Sequence, residues 1–193
     1  MYNFFYAIFW WFQKIFMPVK IVGKENLLSG KAILSCNHQT NLDFLPIYLN
    51  ANSKLYALCK EEIFKHKIIR PLLKIASAIP VNRQKPEMSS IKKCLSALNE
   101  GSNLLVFPSG TRSDTEDLSN LKNGIAMFSL KTKAPIVPMV YLKKNRLFRR
   151  NTLVVGTPIY VDELEYNKDN MAKLIEILET KMKELKEYKK ETK

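Results

Sequence analysis

The stretch Asn37–Asp43, NHQTNLD, sets His38 and Asp43 five positions apart. An imidazole can take a proton from an alcohol, and a carboxylate beside it holds the ring in the useful tautomer and stabilises its charged form. On a continuous helix the two side chains would diverge. A turn between strand and helix, capped by Thr40 or Asn41, brings them together. Farther along, FPSGTRS (Phe107–Ser113) ends an apolar run with a glycine, hydroxyls and an arginine. Backbone amides at a tight turn, hydroxyls such as those of Ser109 and Thr111, and the Arg112 guanidinium suit one anionic oxygen cluster, a phosphate.

Other reactive side chains carry less. His66 lies in a lysine-rich helical stretch and reads as solvated surface. Cys36, two residues before His38, reads as a small buried hydrophobe at a strand end rather than a covalent nucleophile. Cys36, Cys59 and Cys94 show neither CxxC nor paired spacing, which indicates no disulfide framework and no zinc site and fits reduced thiols in a cytosolic compartment. No Walker loop, GxGxxG or HExxH pattern occurs.

The elements that must position these residues alternate. KAILSC, KLYALC, AIPV, NLLVF, PIVPMVYL and TLVVG read as strands. Helical spacing appears over Glu61–Ile75, with Pro71 dividing or kinking it, over Glu87–Asn99, stopped by Gly101, over Asn120–Lys131, and over Asn167–Lys193, whose end frays into a lysine-rich tail. Strand and helix in alternation imply an α/β sheet with helices on its faces and ligands outside the carboxyl ends of the strands. The 193 residues contain no linker or repeat, so one domain is expected.

The N-terminal run MYNFFYAIFWWFQKIFMP is the most apolar part of the chain. As a helix, Asn3–Met17 would be about 22 Å long, short of the roughly 30 Å hydrocarbon core. Trp10 and Trp11 suit the interface, so this helix is expected to associate with a membrane without crossing it. Lys and Arg exceed Asp and Glu by 31 minus 18, or +13. That field favours phosphates and anionic surfaces without choosing among them. KKNRLFRR (Lys143–Arg150) contains no acid and is the candidate docking patch, with an acidic carrier protein and an anionic membrane as competing partners. No nucleic-acid-binding pattern is present.

The ordered set NHQTNLD, AIPVNR, FPSGTRS and APIVPMV resembles the glycerolipid acyltransferase family, in its bacterial 1-acylglycerol-3-phosphate branch, over roughly Lys20–Thr157. The resemblance implies a single-domain mixed α/β sheet flanked by helices. The acyltransferase domain is expected over residues 18–166, between the apolar membrane helix of residues 1–17 and the charged helix and tail of residues 167–193. It implies His38 as general base and Asp43 as its partner. Arg83, Gly110, Thr111 and Arg112, joined by Lys60 and Ser109, would hold the acceptor's phosphate. Ala134–Val140 matches the motif associated with acyl-donor binding. No cofactor or metal is implied; the partners are lysophosphatidic acid, an acyl carrier protein or coenzyme A thioester, and an anionic membrane surface on the cytoplasmic face. Two positions depart from the pattern, Ser109 where the family usually has Glu and Ser77 where it usually has Gly. Ser109 carries no charge, which keeps glycerol-3-phosphate or another lysophospholipid open as acceptor. A non-catalytic basic membrane-binding module is the rival of another class; it leaves the ordered motifs unexplained.

Overall fold

The computed structural model describes residues 2–67, 69–81, 87–108 and 123–188. Helix α1 (Tyr2–Phe16) ends before Pro18, which supplies no N–H, and the chain passes into β1 (Val19–Val22). There follow β2 (Ala32–Cys36), α2 (Phe44–Asn50), β3 (Leu55–Lys60), α3 (Ile69–Ile75), β4 (Ala78–Val81), α4 (Met88–Asn99) and β5 (Asn103–Val106). The chain closes with α5 (Asn123–Thr132), β6 (Ile136–Tyr141), β7 (Asn151–Val155) and α6 (Lys168–Lys186).

Seven strands make one sheet in the order β1-β7-β6-β2-β5-β3-β4. Every neighbouring pair is parallel except β6 with β7. Strands β2 to β6 therefore present their carboxyl ends at one end of the sheet, and the sheet grows from β2 both ways, through β5 and through β6. The expected mixed α/β sheet is the one observed, with β1 added at an edge.

Strand β2 is buried at all five positions, as a central strand covered on both faces must be. Its side chains alternate between two clusters. Ile33 packs with Cys94 and Leu98 of α4, Phe128 of α5, and Leu174, Leu178 and Met182 of α6. Ala32, Leu34 and Cys36 pack with Leu27, with Ile47 of α2 and with Tyr141. The three α6 residues follow a four-residue spacing on one face, and burying each contributes about 1.5–3 kcal/mol. Asn167 caps this helix by accepting from the Asn170 N–H at 2.7 Å.

One local expectation is corrected. The stretch over 61–75 is a short 3-10 turn, Glu61–Lys65, followed by α3 from Ile69, so the division lies upstream of Pro71. Pro71 is the third residue of α3, in its first turn, where a missing N–H is tolerated. Ser77, where a glycine is usual, sits at φ 52°, in the left-handed region that disfavours any side chain.

Helix α1 lies against α2, with the Tyr6 hydroxyl donating to the Leu49 carbonyl at 2.8 Å and with Gln13 buried. Ile8, Trp11 and Ile15, on one face, are 46%, 61% and 58% exposed, so α1 is packed on one side and bare on another. No described helix is long and apolar enough to cross a membrane.

Candidate active site

The site begins where β2 ends. Asn37 donates from Nδ2 to the Tyr141 carbonyl at 3.0 Å and accepts the Tyr141 N–H on Oδ1 at 2.7 Å. A side chain thus takes the place of a β2–β6 ladder step, leaving the backbone of 38–43 free to turn. In that turn His38 Nδ1 lies 3.1 Å from Asp43 Oδ2. The same oxygen accepts the N–H groups of Gln39 at 2.6 Å and Thr40 at 2.8 Å. Asp43 Oδ1 accepts the Thr40 hydroxyl at 2.6 Å and Asn145 Nδ2 at 2.8 Å.

Asp43 is fully buried, and a buried charge is tolerated only when its lone pairs are occupied. Burial alone would push its carboxyl pKa up. The hydrogen bonds from His38, from the Thr40 side chain and from the Thr40 and Gln39 amides outweigh burial and hold it below the usual carboxylate value. The expected cap is corrected here. Neither Thr40 nor Asn41 caps α2; Asp43 occupies the N-cap position and makes no side-chain cap bond, because its carboxylate is spent on the loop and His38. Thr40 Oγ1 instead bridges, donating to Asp43 and accepting the Leu42 N–H at 3.2 Å.

An ionised carboxylate only accepts, so Nδ1 of His38 carries the proton and Nε2 is left as the basic nitrogen. The His38 side chain is 12% exposed and stacks on Phe107, with ring centroids 4.0 Å apart and 25° between planes. Phe107 opens FPSGTRS, directly after β5, the strand paired in parallel with β2. The start of that segment therefore touches the imidazole. Ser109, Gly110, Thr111, Arg112 and Arg83 lie outside the described residues.

Lys60 ends β3 in register with Val81, the last residue of β4, at the same end of the sheet. Its half-exposed ammonium is 3.1 Å from Glu62. Cys36 is fully buried; desolvation first, then the neighbouring Asp43, raise its thiol pKa well above the ordinary value, so it is a neutral core residue. His66 is exposed beyond the 3-10 turn, as read from the sequence.

Sequence reasoning missed Asn145 and Tyr141. Tyr141 donates its hydroxyl to the Asp43 carbonyl at 2.8 Å. Asn145 sits inside KKNRLFRR, whose charge pointed outward, and no periodicity marks a single inward amide.

Beside the turn lies an apolar cavity of about 360 Å³, lined by Phe9 and Phe12 of α1, Leu42, Phe44, and Leu73 and Ile75 of α3. Leu42 and Phe44 flank Asp43, so cavity and His–Asp pair share one loop. Leu73, Ile75 and Ala76, from the apolar run across α3 and its end, complete this wall.

Residues 18–142 match the family described as Acyltransferase, an interval that contains the His38–Asp43 turn, Lys60 and Phe107. The chain belongs to the acyltransferase family. A Bacillus subtilis (strain 168) relative, 1-acyl-sn-glycerol-3-phosphate acyltransferase, is 32% identical over 86% of this chain and 87% of its own length. A Cocos nucifera protein of the same name is 31% identical, over 79% of this chain and 53% of that one. The crystal structure of the 1-acyl-sn-glycerophosphate (LPA) acyltransferase PlsC from Thermotoga maritima superposes with a TM-score of 0.71 over 98% of this chain and 80% of that chain, at 23% identity. The acyltransferase thus shares that fold.

Proposed function

We propose that this acyltransferase moves an acyl group from an acyl thioester to the free sn-2 hydroxyl of 1-acyl-sn-glycerol-3-phosphate, lysophosphatidic acid, giving phosphatidic acid in phospholipid biosynthesis. The observation that carries the reading is the His38–Asp43 pair at the carboxyl end of the central strand, its carboxylate buried and bonded on both oxygens, in a chain whose relatives bear that activity's name. His38 Nε2 takes the hydroxyl proton as the acceptor oxygen attacks the thioester carbonyl. As the tetrahedral intermediate collapses, the C–S bond breaks and the imidazolium returns the proton to the leaving thiolate. Asp43 orients the ring and stabilises its positive charge.

The acceptor's phosphate is held by Arg83, Gly110, Thr111 and Arg112, with Ser109 donating. Strands β4 and β5, which lead into those segments, finish at the same end of the sheet as His38, and that supports the assignment. Lys60 joins by exchanging Glu62 for phosphate, a small cost because the pair is half-exposed. The apolar cavity beside Leu42 and Phe44 accepts an acyl chain.

The bare face of α1 rests in an anionic membrane surface on the cytoplasmic side, as a peripheral or monotopic attachment. The loop KKNRLFRR supports the same side. The Phe148 N–H donates to the Phe16 carbonyl at 2.6 Å and the two rings meet edge to face at 5.5 Å. Phe148 is 74% exposed and Leu147 42%, with exposed Arg146, Arg149 and Arg150 around them. Apolar side chains ringed by cations favour a membrane over an acidic carrier protein at this patch.

A thiol-release assay with purified protein tests substrate and chemistry together. Lysophosphatidic acid, glycerol-3-phosphate and a second lysophospholipid are each offered with acyl-coenzyme A and with acyl carrier protein thioester. The reading predicts release driven by lysophosphatidic acid. A preference for another acceptor would move the assignment to that substrate, with Ser109 as the reason, and no release with any acceptor would remove the enzyme.

A further inference from the structure

We infer that Asn145 is a positioning residue for the His38–Asp43 pair, delivered to it by the loop between β6 and β7. This rests on the proposed role of that pair as base and orienter. Asn145 is 5% exposed, whereas every other residue of KKNRLFRR is exposed, so the loop turns one neutral amide inward and all its cations outward. The amide ends on the carboxylate, with Nδ2 2.8 Å from Asp43 Oδ1. Its own Oδ1 is buried and without a hydrogen-bond partner. An unsatisfied buried carbonyl costs stability, and an apolar side chain of similar size would avoid that cost. What an apolar side chain would not supply is the donor.

The donors to Asp43 divide by origin. His38, the Gln39 and Thr40 amides and the Thr40 hydroxyl belong to the same short turn and move with it. Asn145 comes from 102 residues away and ties Oδ1 to the loop that follows β6, the strand paired with β2. With Oδ1 fixed, the carboxylate cannot swing about its terminal torsion, and Oδ2 stays presented to His38 Nδ1. The anchor is itself held. Asn151 accepts the Arg146 N–H at 3.0 Å and donates to the Arg146 carbonyl at 3.1 Å. At the loop's start the Tyr141 hydroxyl donates to the Asp43 carbonyl, and its backbone is paired with Asn37.

The test measures kcat and KM for thiol release with lysophosphatidic acid and acyl-coenzyme A, using the full chain. Loss of one hydrogen bond to a charged group predicts that Asn145→Ala lowers kcat by about tenfold to a hundredfold. Both KM values should stay within about twofold of wild type. Asn145→Asp keeps the shape but replaces the donor with an acceptor, and should lose at least as much. In an Asp43→Ala background, Asn145→Ala should have no further effect on kcat beyond about twofold, because its partner is gone. A merely structural role would give additive losses there. Additive losses, a wild-type kcat for Asn145→Asp, or a rise in KM at unchanged kcat would each overturn the inference. If Asn145→Ala fails to fold by circular dichroism, Asn145→Ser carries the same cycle. His38→Ala in the same assay separates the two readings. Wild-type turnover there sinks the base itself, whereas a fallen rate with additive Asn145 losses sinks only the positioning role.

Discussion

Cys36 and His38 are two residues apart, yet the fold gives them opposite characters. Cys36 is the last residue of β2 and faces the core, where desolvation and the Asp43 charge keep its thiol protonated. His38 lies past the strand, on Phe107 and against Asp43. Cys36→Ala should therefore keep kcat within about twofold in the thiol-release assay, since no acyl-enzyme is needed; loss of turnover with an intact fold would restore Cys36 as nucleophile. The His–Asp pair was legible because two residue types with one chemical use stood at a spacing a turn can close. Asn37 and Asn145 were not legible in the same way. Each makes its decisive bonds across more than a hundred positions of sequence, and an amide carries no charge or period to announce a partner.

At the scale of elements, β2, β5 and β6 could be read because buried parallel strands are continuous apolar runs bounded by polar residues. β1 could not. Its four residues, VKIV, include a lysine, and it is an edge strand paired only with β7. Over 61–75 the helical spacing was real, but the break fell at the end of the 3-10 turn instead of at Pro71, because a proline in a first turn obstructs nothing. Ser77, between α3 and β4, holds a left-handed conformation that its side chain disfavours. Ser77→Gly should raise stability by about 0.5–1 kcal/mol, seen as a higher denaturation midpoint at unchanged slope. A lower midpoint would mean that the Ser77 side chain contributes more than its backbone conformation costs.

Across the whole molecule, five strands ending together gather the turn after β2, Lys60 at the end of β3 and Phe107 after β5, while α1 and the β6–β7 loop meet through Phe16 and Phe148. The sequence placed the densest cations in KKNRLFRR; the fold adds that they surround the exposed Leu147 and Phe148 beside α1, which composition cannot say. Reversing two exposed cations, Arg149→Glu with Arg150→Glu, should weaken binding to vesicles of mixed anionic and zwitterionic phospholipid by about tenfold or more. Unchanged vesicle affinity would take the loop out of the membrane surface. Residues 83 and 109–112, proposed here to hold the acceptor's phosphate, lie outside the described residues. What joins sheet, loop and cavity into one enzyme is the claim that His38 is the base for acyl transfer. Its most direct test is thiol release by purified His38→Ala with lysophosphatidic acid and an acyl thioester, alongside circular dichroism of the fold. The rate should fall by about a hundredfold or more with the fold retained, and release at the wild-type rate would contradict it.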